Sequence, residues 1–174
     1  MKIALTGHRS EFFPDDTSFL PTIEGTFVRF LDATKPEVVI SGGCYGWDLI
    51  GARESYFKSI PFDLYIPFPE FGNSWNVTNK ELLRGMKPKA RSIKNISDTY
   101  HSGCFYDRDK AMVDDADLVI SLMHPLCEKG GTFCTVKYAK SLGKTVFNIW
   151  PKYDLAILSY IESCDLLGLR EEVI

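Results

Sequence analysis

Short apolar runs alternate along this chain with segments whose apolar residues recur at helical spacing, and that alternation limits the possible folds more than any other feature. Lys2 to Thr6, Val38 to Ile40, Phe62 to Ile66, Ile93 to Ile96, Asp117 to Leu122 and Thr145 to Ile149 read as strands. Between them, Phe19, Leu20, Ile23, Phe27, Phe30 and Leu31 mark one face of a helix from about Phe19 to Ala33, with Thr17 or Ser18 as its cap. Further helices are predicted over Trp47 to Lys58, Asn79 to Met86 and Phe105 to Asp115. Another runs from Gly130-Gly131-Thr132 to about Leu142, where Gly143 suits the position past a helix end. A last helix, from about Leu155 to Leu167, is expected to pack on the sheet. Buried strands joined by helices imply right-handed crossovers and helices on both faces of the sheet. The expected fold is α/β: a Rossmann-like three-layer α/β/α sandwich with a mostly parallel sheet.

A chain of 174 residues fits one domain spanning 1–174, with 151–174 as a helical tail, and can bury a core without a disulfide or metal staple. Its formal net charge of -3 argues against a general polyanion binder but not against a local phosphate site. The cysteines, Cys44, Cys104, Cys127, Cys134 and Cys164, are odd in number and scattered, unlike a secreted disulfide framework. The apolar run at Ile3-Ala4-Leu5 ends too soon for a signal-peptide core. No stretch approaches the roughly 20 apolar residues of a membrane span. A cytoplasmic protein without a membrane partner is expected.

In parallel sheets, ligands sit beyond the carboxyl ends of the strands. Here the first strand ends in Thr6-Gly7-His8-Arg9-Ser10, the second in Ser41-Gly42-Gly43-Cys44-Tyr45-Gly46-Trp47-Asp48, and the fifth leads to Gly130-Gly131-Thr132. Glycine permits close backbone approach, and amides at a following helix start favour an anion, so a phosphate is the natural occupant. The plainer reading of any one Gly-Gly is a tight turn; two at corresponding strand ends shift the balance toward a site. No Gly-Lys-Ser/Thr follows and no G-x-G-x-x-G is present, which disfavours a standard P-loop ATPase or NAD dehydrogenase.

Five motifs in order carry a family resemblance. Thr6-Gly7-His8-Arg9-Ser10 resembles the opening motif of YpsA-like proteins, and Ser41 to Asp48 is similar to their Gly-Gly-x-x-Gly-x-Asp element. Trp75 falls where that family tends to carry a tryptophan after a Pro-rich turn. Tyr106-Asp107-Arg108-Asp109 with Met112-Val113-Asp114 resembles its Arg-Asn helix, with Asp109 in place of the usual Asn. Gly130-Gly131-Thr132 followed by Thr135-Val136 and Ala139 is similar to its last loop. Over residues 1–150 the chain thus resembles the YpsA-like branch of the SLOG (Smf/DprA–LOG) superfamily. The resemblance implies a Rossmann-like fold, a nucleotide or nucleotide-derived ligand and a homo-oligomer, but no fixed reaction. The LOG branch cleaves N-glycosidic bonds of nucleoside monophosphates with a signature resembling Pro-Gly-Gly-x-Gly-Thr-x-x-Glu. Here Lys129 stands where its proline would, and Thr135 and Tyr138 offer no acid in place of its glutamate.

The expected ligand-binding residues are Gly7, His8, Arg9, Ser41, Gly42, Gly43, Asp48, Trp75, Arg108, Gly130, Gly131 and Thr132. Asp48 is also the catalytic candidate, because N-glycoside cleavage passes through an oxocarbenium-like state that a carboxylate stabilises. Its plainer role is an acid favoured by a helix start. Asp107, Asp109 and Glu128 are weaker choices. Arg9 and Arg108 suit a phosphate clamp or a plain surface. His8 suits proton transfer or a structural bond, and Tyr45, Trp47 and Trp75 suit base stacking or the core. His101-x-x-Cys104 and His124-x-x-Cys127 have zinc-type spacing, but nothing else supports a metal, so no metal and no cofactor are expected. Cys44 with His8 as a nucleophilic pair is weaker still. Lys80, Arg84, Lys87, Lys89, Arg91 and Lys94 form a basic stretch that reads as a solvated face or as a rim for nucleic acid. Three functions follow: a binding protein for a small nucleotide, holding phosphate and ribose at glycine-rich strand ends; an N-glycoside hydrolase or transferase using Asp48; or a single-stranded nucleic-acid accessory protein, since DprA-like relatives bind single-stranded DNA.

Overall fold

A computed structural model describes residues 1–151, 157 and 159–161. Its strands are β1 (Lys2–Gly7), β2 (Val38–Ser41), β3 (Phe62–Ile66), β4 (Ser92–Asn95), β5 (Leu118–Leu122) and β6 (Thr145–Asn148). They form one sheet in the order β4-β3-β2-β1-β5-β6. Every adjacent pair is parallel. The helices are α1 (Phe19–Thr34), α2 (Trp47–Phe57), α3 (Val77–Met86), α4 (Cys104–Asp115) and α5 (Gly131–Ser141).

The strands sort their side chains by parity, as a pleated sheet requires. Ile3, Leu5, Val39, Phe62, Leu64, Ile66, Leu118, Ile120 and Leu122 join one core with Ile23, Phe27 and Leu31 of α1, Trp47 and Ala52 of α2 and Leu83 of α3. Ala4, Ile40, Tyr65 and Val119 join the other with Met112 and Val113 of α4 and Ala139 of α5. The result is the three-layer Rossmann-like α/β/α arrangement. The first core is large and aromatic, whereas the second is smaller and includes Ala4, Ala116 and Ala139.

Several element ends differ by a residue or two from the sequence-based expectation, and three points have a physical reason. Helix α3 begins two residues earlier than Asn79, because Asn76 caps it: its side-chain oxygen accepts from the Asn79 N–H at 2.9 Å. Ser18 precedes α1 but does not cap it with its side chain. Its hydroxyl donates instead to Asp16 at 2.8 Å. Strand β4 spans Ser92–Asn95 rather than Ile93 to Ile96, an exposed edge strand in which side-chain burial gives no register signal. The predicted C-terminal helix lies largely outside the described residues. Ile157 and Ser159–Ile161 are helical, and Ile157 and Ile161, one turn apart, are buried in the larger core.

The chain builds the sheet outward from β1 to β4, then returns past β1 to lay down β5 and β6. The loops after β1 and β5 therefore leave in opposite directions. Such a switch point opens a crevice beyond the carboxyl ends of the two strands.

Candidate functional site

The crevice at the β1/β5 switch point is a cleft of about 900 Å³. Of the sequence-predicted residues, Gly7, His8, Arg9, Asp48, Arg108, Gly130, Gly131 and Thr132 line it together. Ser41, Gly42, Gly43 and Trp75 are not among its lining residues. Ser41 is fully buried and donates to the Asp48 carbonyl at 2.8 Å, which ties the end of β2 to the start of α2. Trp75 meets Tyr45 edge-on at 4.9 Å and Phe71 at 4.8 Å, so its ring is part of an aromatic wall. Trp47 is core: it is fully buried, and its indole N–H donates to the Ile120 carbonyl at 3.3 Å. Gly7 makes room for it, since a Cβ at residue 7 would lie 2.6 Å from the Trp47 Cβ.

The first glycine turn, between β2 and α2, is filled by the protein itself. Arg108, buried on α4, donates from a guanidinium nitrogen to the Gly42 carbonyl. A Cβ on Gly42 would sit 2.2 Å from that nitrogen and 2.7 Å from an Asp48 carboxyl oxygen. Arg108 also donates through Nε to Asp109 at 2.7 Å, and the other Asp109 oxygen accepts from Thr135 of α5 at 3.0 Å. Asp48, through its charge interaction with Arg108, joins Arg108, Asp109 and Thr135 in one network at the cleft floor that links α2, α4 and α5. The start of α2 is occupied as well. The Trp47 N–H donates to the His8 carbonyl at 3.2 Å, and a Cβ on Gly46, whose φ is +95°, would lie 2.5 Å from that oxygen.

Burial pushes the Asp48 carboxyl up to about 7; Arg108 opposes the shift and Asp109 adds to it. Burial likewise pushes the Cys44 thiol up to about 11, which keeps it protonated and weakly nucleophilic at neutral pH. His8 is shifted downward, first by burial and then by His124. Its Nε2 accepts the His124 N–H at 2.9 Å, and His124 Nδ1 in turn accepts the Leu126 N–H at 3.1 Å. His8 therefore ties the loop after β1 to the loop after β5. Asn148 pins the base of that second loop, accepting from the Met123 N–H at 3.0 Å and donating to its carbonyl at 2.8 Å.

The second glycine turn is open. Gly130, with φ +94°, has no atom within 4 Å of a built Cβ, and at Gly131 the nearest is an Asp109 oxygen at 3.8 Å. Gly130 is the N-cap of α5 and brings no capping side chain, and Gly130, Gly131 and Thr132 all line the cleft. Arg9 lies above the Tyr45 ring at 5.3 Å, and Tyr45 donates to Glu11 at 3.0 Å.

Lining residues that sequence reasoning did not select are Thr6, Phe12, Phe105, Leu126, Cys127 and Lys129. The available signal was weak: Phe12 is followed by Phe13, and Leu126 lies close to Met123 and Cys127, so neither stands out in its loop. Four residues of the basic stretch have partners in the protein. Arg91 forms a two-pronged pair with Asp63, Lys94 bonds Asp115, Arg84 bonds Glu81 and Lys89 lies over the Tyr56 ring. Among the described residues, no group of three or more His, Cys, Asp or Glu could hold a metal ion. None of their helices is long and apolar enough to cross a membrane.

Fold and site define a doubly wound Rossmann-like protein whose cleft lies at the sheet's switch point. The model of the YspA SLOG family (YpsA) matches residues 3–150, and the chain belongs to that family. The UPF0398 protein of Enterococcus faecalis (strain ATCC 700802 / V583) is 26% identical over 88 residues, which cover 48% of this chain and 49% of that protein. The match thus spans about half the length of this relative. The fold is similar to that of DNA processing protein A (DprA) from Helicobacter pylori, with a TM-score of 0.64 at 21% identity, covering 97% of this chain and 80% of that one. It is similar also to DprA from Streptococcus pneumoniae, with a TM-score of 0.62 at 18% identity, covering 97% and 56%. At these identities the likeness speaks to fold alone. The Helicobacter structure was described for its single-stranded DNA binding mode.

Proposed function

We propose that the protein binds a small phosphorylated ligand of nucleotide type, with the phosphate at Gly130-Gly131-Thr132 and the rest of the ligand in the cleft. The observation that carries this reading is the open second turn: a helix start without a capping side chain and two glycines line a cleft where a doubly wound sheet places its ligands. Lys129 and Arg9, both on the cleft wall, add positive charge for a phosphate. Calorimetric titration with nucleoside monophosphates and NAD-derived nucleotides tests it. Gly131→Asp supplies the control. An acid in the first turn of α5 suits the helix dipole, but its charge repels a phosphate; because its Cβ would lie 3.8 Å from an Asp109 oxygen, an unchanged melting temperature is required of the variant. Saturable binding weakened at least about tenfold by this variant supports the proposal; equal binding by both proteins rejects it.

A second reading makes the protein an N-glycoside hydrolase, and the position of Asp48 on the cleft favours it. A carboxyl that titrates near neutrality can take or give a proton at pH 7. Chromatography of the same incubations resolves the readings: free base released by the native protein and not by Asp48→Asn makes it an enzyme. Support for a nucleic-acid partner comes from the structural neighbour. The basic stretch adds little, because four of its cations are engaged within the protein.

A further inference from the structure

A second hollow, of about 560 Å³, lies at the end of the sheet away from the cleft. It is lined by Tyr56 and Phe57 at the end of α2, Ile60 and Pro61 before β3, and Lys89 and Arg91 before β4. Tyr56 and Phe57 are exposed to 44% and 66%, although both carry large rings. Exposed rings gathered in a hollow gain free energy when a partner covers them. Lys89 lies over the Tyr56 ring at 4.9 Å, and among the described residues it meets no carboxylate. Arg91, by contrast, is committed to Asp63 by hydrogen bonds of 2.9 and 2.6 Å.

The hollow adjoins an open sheet edge, since Arg91 directly precedes β4. β4 ends the strand order, and among the described residues no strand lies on its outer side. All four of its side chains are exposed. The Arg91 N–H donates inward to the Phe62 carbonyl at 2.8 Å. Successive strand residues alternate, so the N–H and C=O groups of Ser92 and Lys94 turn outward, away from β3. Edge strands are commonly guarded by a projecting charge or a proline. Here Ser92–Asn95 holds no proline, and the Lys94 ammonium is drawn toward Asp115 at 3.2 Å and the Tyr65 ring at 4.8 Å.

We propose that β4 and the hollow together dock an extended acidic segment of a partner protein, which adds to the six-stranded sheet as a further strand. One apolar side chain of the segment enters the hollow against Tyr56 and Phe57, and a neighbouring carboxylate meets Lys89. In this mode of recognition the main-chain bonds to the edge supply affinity and the pocket selects the side chain. The charges favour a carboxylate over a nucleic-acid strand. A run of phosphates needs several cations, whereas Arg91 is neutralised by Asp63 and Lys94 is held by Asp115. This surface lies apart from the cleft, so docking here does not depend on the ligand bound there.

The test selects random short peptides, displayed on phage, against the native protein and measures the enriched sequences as synthetic peptides by fluorescence polarisation. Enriched sequences are expected to place an aromatic or aliphatic residue beside Asp or Glu and to bind with micromolar Kd. Lys89→Glu is expected to weaken them at least about tenfold, and Lys89→Arg to leave them within about twofold. Ser92→Pro removes an outward donor and spares the ladder to β3, because a strand tolerates proline where its N–H faces solvent. It is expected to weaken binding at least about fivefold. Both positions are exposed, and an unchanged melting temperature verifies that the variants fold. Amide exchange at residues 92–95 is expected to slow in the peptide complex. Absence of any enriched peptide that binds below millimolar concentration overturns the docking surface. Equal binding by the native protein, Lys89→Glu and Ser92→Pro overturns it too, by placing the peptides elsewhere. Binding without slower exchange at residues 92–95 overturns the added strand. Displacement of the peptides by oligothymidylate overturns the acidic partner and makes this a nucleic-acid surface.

Discussion

The two Gly-Gly turns look alike in sequence and do different work. Gly42-Gly43 follows β2 and is packed from behind by Arg108 and Asp48; no ligand could enter without displacing them. Gly130-Gly131 follows the loop after β5 and faces open space. One turn spends its missing side chains on a buried ionic network and the other keeps them for the cleft. A glycine pair at a strand end thus marks a place where something approaches the backbone closely, without saying whether that is the protein or its ligand.

The sharpest break of this comparison is Gly42→Ala against Gly131→Ala. The first forces a methyl into Arg108 and the Asp48 carboxyl, a buried charged network, and should cost about 3–5 kcal/mol. Chemical denaturation reads it directly; stability within 1 kcal/mol of native would show that Arg108 moves freely. Arg108→Met should cost a similar amount, about 3–5 kcal/mol, because Asp48, Asp109 and the Gly42 carbonyl all lose a partner.

Next in size is a pH effect. The folded Asp48 carboxyl titrates near 7, well above its ordinary 3.8, so the folded state holds a proton that the unfolded chain gives up. Stability from this group is present at low pH, falls as pH rises from about 4 to 7 and stays low above that. Asp48→Asn, whose amide oxygen still accepts from the Cys44 N–H, should abolish this slope. It should therefore gain on the native protein with rising pH, by up to about 4 kcal/mol. Denaturation midpoints of both proteins at pH 4.5, 6 and 8 test it; parallel curves would count against the shift.

His8 behaves oppositely. Its shift lies below 6.5, so its contribution is full above that value and wanes as pH falls through 6.5 toward the lowered folded value. Protonation also removes the acceptor for the His124 N–H. His8→Leu should cost about 0.5–1 kcal/mol by removing the acceptor of an exposed hydrogen bond. Amide exchange across residues 123–130 should quicken in this variant and in native protein at pH 5, with little change elsewhere. Uniform exchange changes would show that the tie is not local.

The smallest effect is expected at the open turn. Gly131→Ala meets no atom closer than 3.8 Å and should shift stability by less than about 0.5 kcal/mol. The contrast with Gly42→Ala, nearly the same chemical change, would measure the difference between a filled turn and an empty one.

Much of this layout was legible in the chain. The apolar runs located all six strands, and the glycines at Gly7 and Gly42-Gly43 marked two strand ends and those at Gly130-Gly131 the start of α5; Gly7 and Gly130-Gly131 share the cleft. Other parts were not legible. Asn76 was hidden as a cap because an Asn follows three residues later and either could start the helix. Phe12 and Leu126 belong to no period, so nothing local shows that both line the cleft. The basic stretch read as one rim, although its partners Asp63, Asp115, Glu81 and Tyr56 come mostly from other elements.

What the chain determined by itself is the set of local choices: extended or helical backbone, which face is apolar, and where a residue without a side chain permits a tight turn. These depend on neighbours a few positions away, and the residue pattern encodes them directly. Only the tertiary structure decided which glycine turn is filled and which is open. That depends on Arg108 reaching Gly42 across 66 positions and on β5 being laid down beside β1, and the space around an atom is set by whatever the fold brings there.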